Sequence, residues 1–309
     1  MQFRSVRDMA DTIRENLHRV PSDVDLVVCI PRSGIVPATL FALSRNLRIT
    51  DVDGALEGRL FGHGERRASY LKDVDWPPKH MLVIDDSVGT GGSIATVKEK
   101  LAPLAAQTKI TYMAVYGTEE GAEAFDIVLE IIPLPRIFEW NLFHHRYLRD
   151  ACLDIDGVLC EDPAHHQNDD GDAYRDFLLN AEPRFLPTVP VAYLVSSRRE
   201  AFRKETEEWM RRHNVQYGEL ILLNETAQDR SRFGLHAKHK AAAYRRLRST
   251  RLFIESDMRQ AQEIARLSGK PVISTEQMVL FNVSRGHAYQ VKIRSRLEQE
   301  LVKYKLMKK

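Results

Sequence analysis

Two short runs in this chain set acids, hydroxyls and glycines at spacings that suit phosphate chemistry. In the first, Met81-Leu82-Val83-Ile84 reads as a short buried strand, and Asp85-Asp86 stands where its carboxyl end emerges. Ser87-Val88-Gly89-Thr90-Gly91-Gly92-Ser93 then turns into a helix beginning near Ile94. In open α/β sheets ligands bind beyond the carboxyl ends of strands, and a helix N-terminus offers unpaired N–H groups to an anion. Glycines let such a backbone curl around a phosphate, while Thr90 and Ser93 add hydroxyl donors. A phosphate cradle needs no negative charge, so the paired acids in front of it point to acceptors for sugar hydroxyls. The second run is Ala151-Cys152-Leu153-Asp154-Ile155-Asp156-Gly157-Val158-Leu159. Two aspartates one residue apart at a strand end project the same way. One carboxylate can then attack phosphorus while the other exchanges a proton with the leaving group.

The run from Met81 to Ser93 closely resembles the phosphoribosyl-pyrophosphate motif of type I phosphoribosyltransferases. The resemblance implies that Asp85 and Asp86 hold the ribose 2′- and 3′-hydroxyls, and that Val88, Gly89, Thr90, Gly91, Gly92 and Ser93 wrap the 5′-phosphate. A second apolar strand, Val24 to Ile30, is followed by Pro31-Arg32-Ser33-Gly34 and an apolar helix through Leu43. In the same family the loop after the first core strand binds pyrophosphate, often through an unusual cis peptide. Arg32 is then its cationic contact, with Ser33 and Gly34 supplying hydroxyl and backbone donors. The polar stretch Glu57 to Lys79 carries Arg59, Arg66, Arg67, Tyr70 and Lys72, and the family places a mobile catalytic loop there. After Pro133 and Pro135, Phe138 or Trp140 is a candidate to stack on a base. A tethered linker that packs those aromatics into the domain interface is an equally good reading.

The Asp-x-Asp-Gly-Val signature looks like the first motif of the haloacid-dehalogenase-like (HAD) phosphatases, which implies that Asp154 is nucleophile and magnesium ligand. Asp156 is then the general acid/base, and its backbone carbonyl also binds the metal. Later motifs follow in the family's order. Strand Val191–Val195 ends in Ser196-Ser197-Arg198, with Ser196 as the hydroxyl donor to the phosphoryl group. Lys238-His239-Lys240 opens an amphipathic helix, and Lys240 is the charge-balancing lysine. Strand Arg251–Ile254 is capped by Glu255-Ser256-Asp257, a departure from the usual Gly-Asp or Asp-Asp. Glu255 is the candidate metal-binding acid and Asp257 its rival. About 40 residues separate the first two motifs, which leaves no room for a large cap. His165, His166, Asp169 and Asp170 lack the regular spacing of a zinc site.

The elements that must position these groups alternate strand and helix throughout. A helix over 5–19 presents Val6, Met9, Ile13 and Leu17 at helical spacing, and the N-terminus opens directly into it. Strands are predicted near 24–30, 49–53, 81–85, 109–116 and 126–132, with helices at 34–45 and 92–105. A second set of strands is predicted near 150–154, 190–195, 219–223, 251–254 and 271–273, with a polar helix over 288–306 as a candidate for self-association into a homo-oligomer. The expected fold class is α/β, with two Rossmann-like parallel-sheet domains over residues 1–145 and 146–309. A length of 309 residues agrees, at roughly 150 per domain.

A net charge of +2 disfavours a nucleic acid polymer as partner, and the clusters Arg198-Arg199, Arg211-Arg212 and Arg245-Arg246 read as solvated helix faces. Three cysteines with no CxxC, no long apolar span and no secretory signal fit a cytoplasmic protein with no membrane segment. The implied partners are phosphoribosyl pyrophosphate, pyrophosphate and a nucleobase-like acceptor or nucleotide, with Mg2+ as cofactor. A sensing module without turnover and a phospho-accepting switch remain the alternatives for the two halves.

Overall fold

The computed structural model describes residues 1–62, 74–168, 171–224 and 235–282. The chain divides into two compact units, Met1–Trp140 and Asn141–Lys309, a few residues ahead of the boundary expected at 145/146.

In the first unit, strands β2 (Leu26–Cys29), β3 (Arg48–Asp51), β4 (His80–Val88), β5 (Lys109–Gly117) and β6 (Ile127–Ile131) form a parallel sheet in the order β3-β2-β4-β5-β6. Such strands are buried on both faces, and the two-residue alternation sorts them. Val27, Cys29, Leu82 and Ile84 face Met9 and Ile13 of α1 (Val6–Glu15) and Phe41 of α2 (Ile35–Arg45). Leu26, Val28, Met81 and Val83 face Val52 and Ala55 of α3 (Val52–Glu57) and Ile94, Val97 and Leu101 of α4 (Gly92–Leu101). β2, the first strand of this sheet in sequence, has the next strand β3 on one side and β4 on the other, so the strand order reverses there. The crevice at such a switch point, beyond the carboxyl ends of the strands, is where α/β folds bind ligands.

Several local expectations shift. β4 runs on through Val88, so Asp85 and Asp86 lie within the strand rather than past it. The third strand stops at Asp51, whose side chain accepts from Gly54 N at 2.6 Å and starts α3 where strand was expected to continue. The chain does not open directly into α1: β1 (Gln2–Arg4) pairs in parallel with β7 (Arg136–Phe138). A three-residue strand carries no readable period and exists here through pairing with residues far along the chain. Between β5 and β6 lies the single turn α5 (Glu119–Ala122).

The second unit holds a sheet ordered β10-β9-β8-β11-β12-β13, from β8 (Ala151–Leu153), β9 (Val191–Arg199), β10 (Tyr217–Leu223), β11 (Leu252–Glu255), β12 (Val272–Ser274) and β13 (Val279–Phe281). The first five are parallel and β13 runs antiparallel at the edge. Helices α6 (Asp172–Asn180), α7 (Arg203–Arg212), α8 (Leu235–Arg246) and α9 (Met258–Ser268) accompany it. Here too the order reverses beside the first strand, between β8 and β11, where Asp154 N donates to Ile254 O at 2.9 Å. The helix predicted over 288–306 lies outside the described residues, as do Arg66, Arg67, Tyr70, Lys72, Asp169 and Asp170.

Candidate active sites

In the first unit two loops meet at the switch point. The loop after β2 carries a cis peptide at Pro31–Arg32, the geometry the resemblance implies. Arg32 is exposed on it. Gly34 packs so tightly that a Cβ there would lie 2.4 Å from Ile30 O and 2.7 Å from Ile84 O. No other residue lets this loop sit against the end of β4. The loop after β4 turns through Gly91 at φ 86°, a left-handed conformation that side chains disfavour, and enters α4 at Gly92. The amides of Gly92 and Ser93 begin a helix and so have no intrahelical carbonyl to bond. Gly89, Thr90, Gly92 and Ser93 are exposed.

Three residues that sequence reasoning missed brace this turn. Arg136 Nη2 donates to Val88 O at 2.6 Å, and Thr118 donates to Val88 O through its amide and to Gly89 O through its hydroxyl. Gly121 lies so close beneath Gly89 that a Cβ would meet its carbonyl at 2.3 Å. With these carbonyls held toward the protein, the loop's opposite side is left for an anion. Only their places after strand ends hinted at this.

The two acids are in unequal surroundings. Asp86 is buried and accepts Ser33 Oγ at 2.8 Å and Trp140 Nε1 at 3.0 Å. Asp85 accepts the Asp86 amide at 2.8 Å. Burial, and then the neighbouring Asp86 charge, push the Asp85 carboxyl up to about 7. Phe138 is buried, with its ring 5.5 Å from Tyr116 and 4.5 Å from Trp140 between centroids, so it packs inside the unit. Of the two aromatics considered for a base, Trp140 is the half-buried one.

In the second unit Asp154 follows β8, Glu255 ends β11 and Lys240 lies in the second turn of α8, which begins earlier than its Lys238 start in the sequence reading. All three are buried. Lys240 Nζ donates to Asp154 Oδ2 at 2.5 Å, Glu255 Oε2 at 2.8 Å and Gln260 Oε1 at 3.1 Å. Burial works against the ammonium, yet Asp154 and Glu255 together hold its pKa above the ordinary value. Two acids against one ammonium in a dry site leave a surplus negative charge, and burial pushes Glu255 up to about 8. Ser196 is buried within β9, which runs on to Arg199 past the strand end expected at Val195, and accepts the Arg198 amide at 3.2 Å. Asp257, the rival of Glu255, instead caps α9 by accepting Gln260 N at 2.6 Å.

Asp156 has a partner the sequence reading misplaced. Arg198 is no solvated helix residue: it lies in β9, fully buried, and grips Asp156 Oδ1 with Nη2 at 2.6 Å and with Nε at 3.1 Å. It also reaches Thr206 Oγ1 at 3.3 Å and Cys160 Sγ at 3.3 Å. The other two arginine pairs do lie exposed on α7 and α8.

The acids expected to ligate magnesium converge on the Lys240 ammonium instead. Asp154 Oδ1 accepts the Ile155 amide, Glu255 Oε1 accepts the amides of Ser256 and Asp257, their other oxygens share Lys240, and the Asp156 backbone carbonyl accepts Ser256 Oγ at 3.3 Å. Among the described residues no group of three His, Cys, Asp or Glu could hold a metal ion. This donor set does not fit a divalent cation as arranged.

No family model matches the chain. Two curated proteins are similar to its first part. A hypoxanthine/guanine phosphoribosyltransferase of Methanothermobacter marburgensis is 28% identical over 125 residues, 38% of this chain and 63% of that protein. A xanthine-guanine phosphoribosyltransferase of Chromohalobacter salexigens is 28% identical over 108 residues, 35% of this chain and 61% of that protein. The first unit is phosphoribosyltransferase-like in sequence. The chain spans less than two thirds of the length of these relatives. A Helicobacter pylori xanthine-guanine-hypoxanthine phosphoribosyltransferase structure aligns over 46% of this chain and 92% of its own, at 15% identity and a TM-score of 0.35. Among the described residues no helix is long and apolar enough to cross a membrane.

Proposed function

We propose that the first unit transfers phosphoribosyl from phosphoribosyl pyrophosphate to a nucleobase-like nitrogen, releasing pyrophosphate. The observation that carries this reading is Asp85-Asp86 at the switch point, between the Gly34 loop and the Gly91 turn. Asp85 and Asp86 accept the ribose hydroxyls, Val88 to Ser93 take the 5′-phosphate, and Arg32, Ser33 and Gly34 take the diphosphate. A magnesium ion bound with that diphosphate would supply counter-charge to it. Likeness to purine phosphoribosyltransferases supports a purine-type acceptor.

The second unit, in this proposal, hydrolyses a phosphomonoester. Asp154 attacks phosphorus, the leaving oxygen departs, and water then releases phosphate from the aspartyl-phosphate. Lys240 offsets charge beside the nucleophile, Ser196 orients the phosphoryl group and Asp156 exchanges protons. The lysine bridging Asp154 and Glu255 supports this division of roles. The two reactions are consecutive: the transferase makes a 5′-nucleotide, and the phosphatase converts it to a nucleoside.

The first test is calorimetry with phosphoribosyl pyrophosphate and Mg2+. Asp85→Asn combined with Asp86→Asn should weaken binding at least about tenfold, since charge-assisted hydrogen bonds contribute roughly 1.5–3 kcal/mol each. Unchanged affinity in the folded double variant overturns the ribose assignment. Binding by wild type without pyrophosphate release, across a panel of bases, favours a sensor over a transferase.

A further inference from the structure

Asp86 joins three parts of the first unit. Its carboxylate is only 5% exposed, and its two oxygens are divided between two donors. Oδ1 takes Ser33 Oγ from the loop after β2, and Oδ2 takes the indole N–H of Trp140, which lies just beyond β7. The same segment is fastened to the β4–α4 turn a second time, through Arg136 on Val88 O. Trp140 is held in turn by Phe138, whose ring lies parallel to it at 8°. The segment after the last core strand is thus tied to an acid within β4, and that acid to the loop after β2.

A carboxylate oxygen has two lone-pair directions, so each Asp86 oxygen keeps one for a further donor. A diphosphate on the loop after β2 competes for the Ser33 hydroxyl. Once Ser33 turns to it, Trp140 is, among the described residues, the side-chain donor that still holds the Asp86 carboxylate in place. An acid in so little water does not keep its orientation without such a donor.

We propose that Trp140 is a positioning residue for ribose: its indole N–H sets the Asp86 carboxylate and couples the acceptor-side segment 136–140 to the diphosphate loop. The inference rests on the phosphoribosyl reading of the site and adds a residue to it. It also accounts for the unequal acids, with Asp86 as the organised hub and Asp85 as the freer acceptor.

The test compares two ligands by calorimetry, phosphoribosyl pyrophosphate and inorganic pyrophosphate, each with Mg2+, on the full chain. Trp140→Phe keeps a ring to stack on Phe138 and removes only the donor. The variant should bind phosphoribosyl pyrophosphate about tenfold more weakly, the effect of one charge-assisted hydrogen bond. Its affinity for pyrophosphate, which has no ribose, should stay within about twofold. Trp140→His, which retains a ring N–H, should recover part of the lost affinity. Equal weakening for both ligands means a merely structural role and overturns the proposal, as does unchanged affinity for phosphoribosyl pyrophosphate. If wild type binds neither ligand, the phosphoribosyl reading itself fails and this role falls with it.

Discussion

Asp85 and Arg198 show how far a single residue's surroundings set its chemistry. The Asp85 carboxyl, raised from its ordinary value near 3.8 to about 7, binds more protons in the folded than in the unfolded chain between those values. Stability therefore falls as pH rises from about 4 to 7, and the full cost is present above 7. Asp85→Asn removes the charge and still accepts the Asp86 amide. It should stabilise the chain at pH 8 by on the order of 1–3 kcal/mol and change little at pH 4.5. Urea unfolding of both proteins at the two pH values checks this, and equal pH dependence would count against the assignment. Arg198 is the opposite case, a buried cation matched by Asp156. Arg198→Met should cost about 3–5 kcal/mol, because the partner carboxylate is left uncompensated. Arg198→Lys should rescue only part, since an ammonium lacks the guanidinium's fork. A drop in Tm for the first variant and a smaller one for the second is the expected pattern.

At the scale of elements, the two loops of the first unit depend on how closely β2, β4 and α2 approach one another. A methyl group at Gly34 would strike two backbone carbonyls, Ile30 O and Ile84 O, and neither can swing aside as a side chain can. Gly34→Ala should destabilise by roughly 1–3 kcal/mol through overpacking, and lift the Ser33 hydroxyl off Asp86. Thermal melting together with phosphoribosyl-pyrophosphate calorimetry separates the two effects: binding should fall even at temperatures where the variant is fully folded. An alanine at Gly92, where nothing lies within 4 Å, is the matching control for steric room in the melting experiment alone, since Gly92 belongs to the proposed phosphate loop.

At the scale of the whole molecule, the proposed activities share a metabolite class. A reversible transfer that makes a 5′-nucleotide is drawn forward by removal of its phosphate, and tethering raises the local product concentration. With an accepted base and phosphoribosyl pyrophosphate, wild type should yield nucleoside over time. Asp154→Asn should instead accumulate the 5′-nucleotide, with pyrophosphate release unaffected. Identical nucleotide from both proteins, and nucleoside from neither, would falsify the consecutive scheme.

Much of this was legible in the chain itself. Apolar runs such as Val24–Ile30 and Met81–Ile84 announce parallel strands because those strands are buried on both faces. Asp85 and Asp86 directly follow such a run and precede a Gly-rich turn, so both acids are read beside that turn even though β4 runs on past them. Asp154 and Glu255 likewise close predicted strands, and Lys240 stands at the start of a predicted helix. Tertiary structure decided what local pattern cannot carry. β1 exists through pairing with residues 136–138, and its three residues hold no period of their own. Arg198 reads as a surface charge until Asp156, Thr206 and Cys160 are seen around it. Glu255 is preferred in sequence with Asp257 as its rival, and only the fold shows Glu255 fully buried against Lys240. Trp140 reads in sequence as a ring to stack on a base or to pack, and its N–H on Asp86 is seen only in the fold. In each case the deciding partner is distant along the chain or the deciding quantity is burial, and neither is set by the residues alongside.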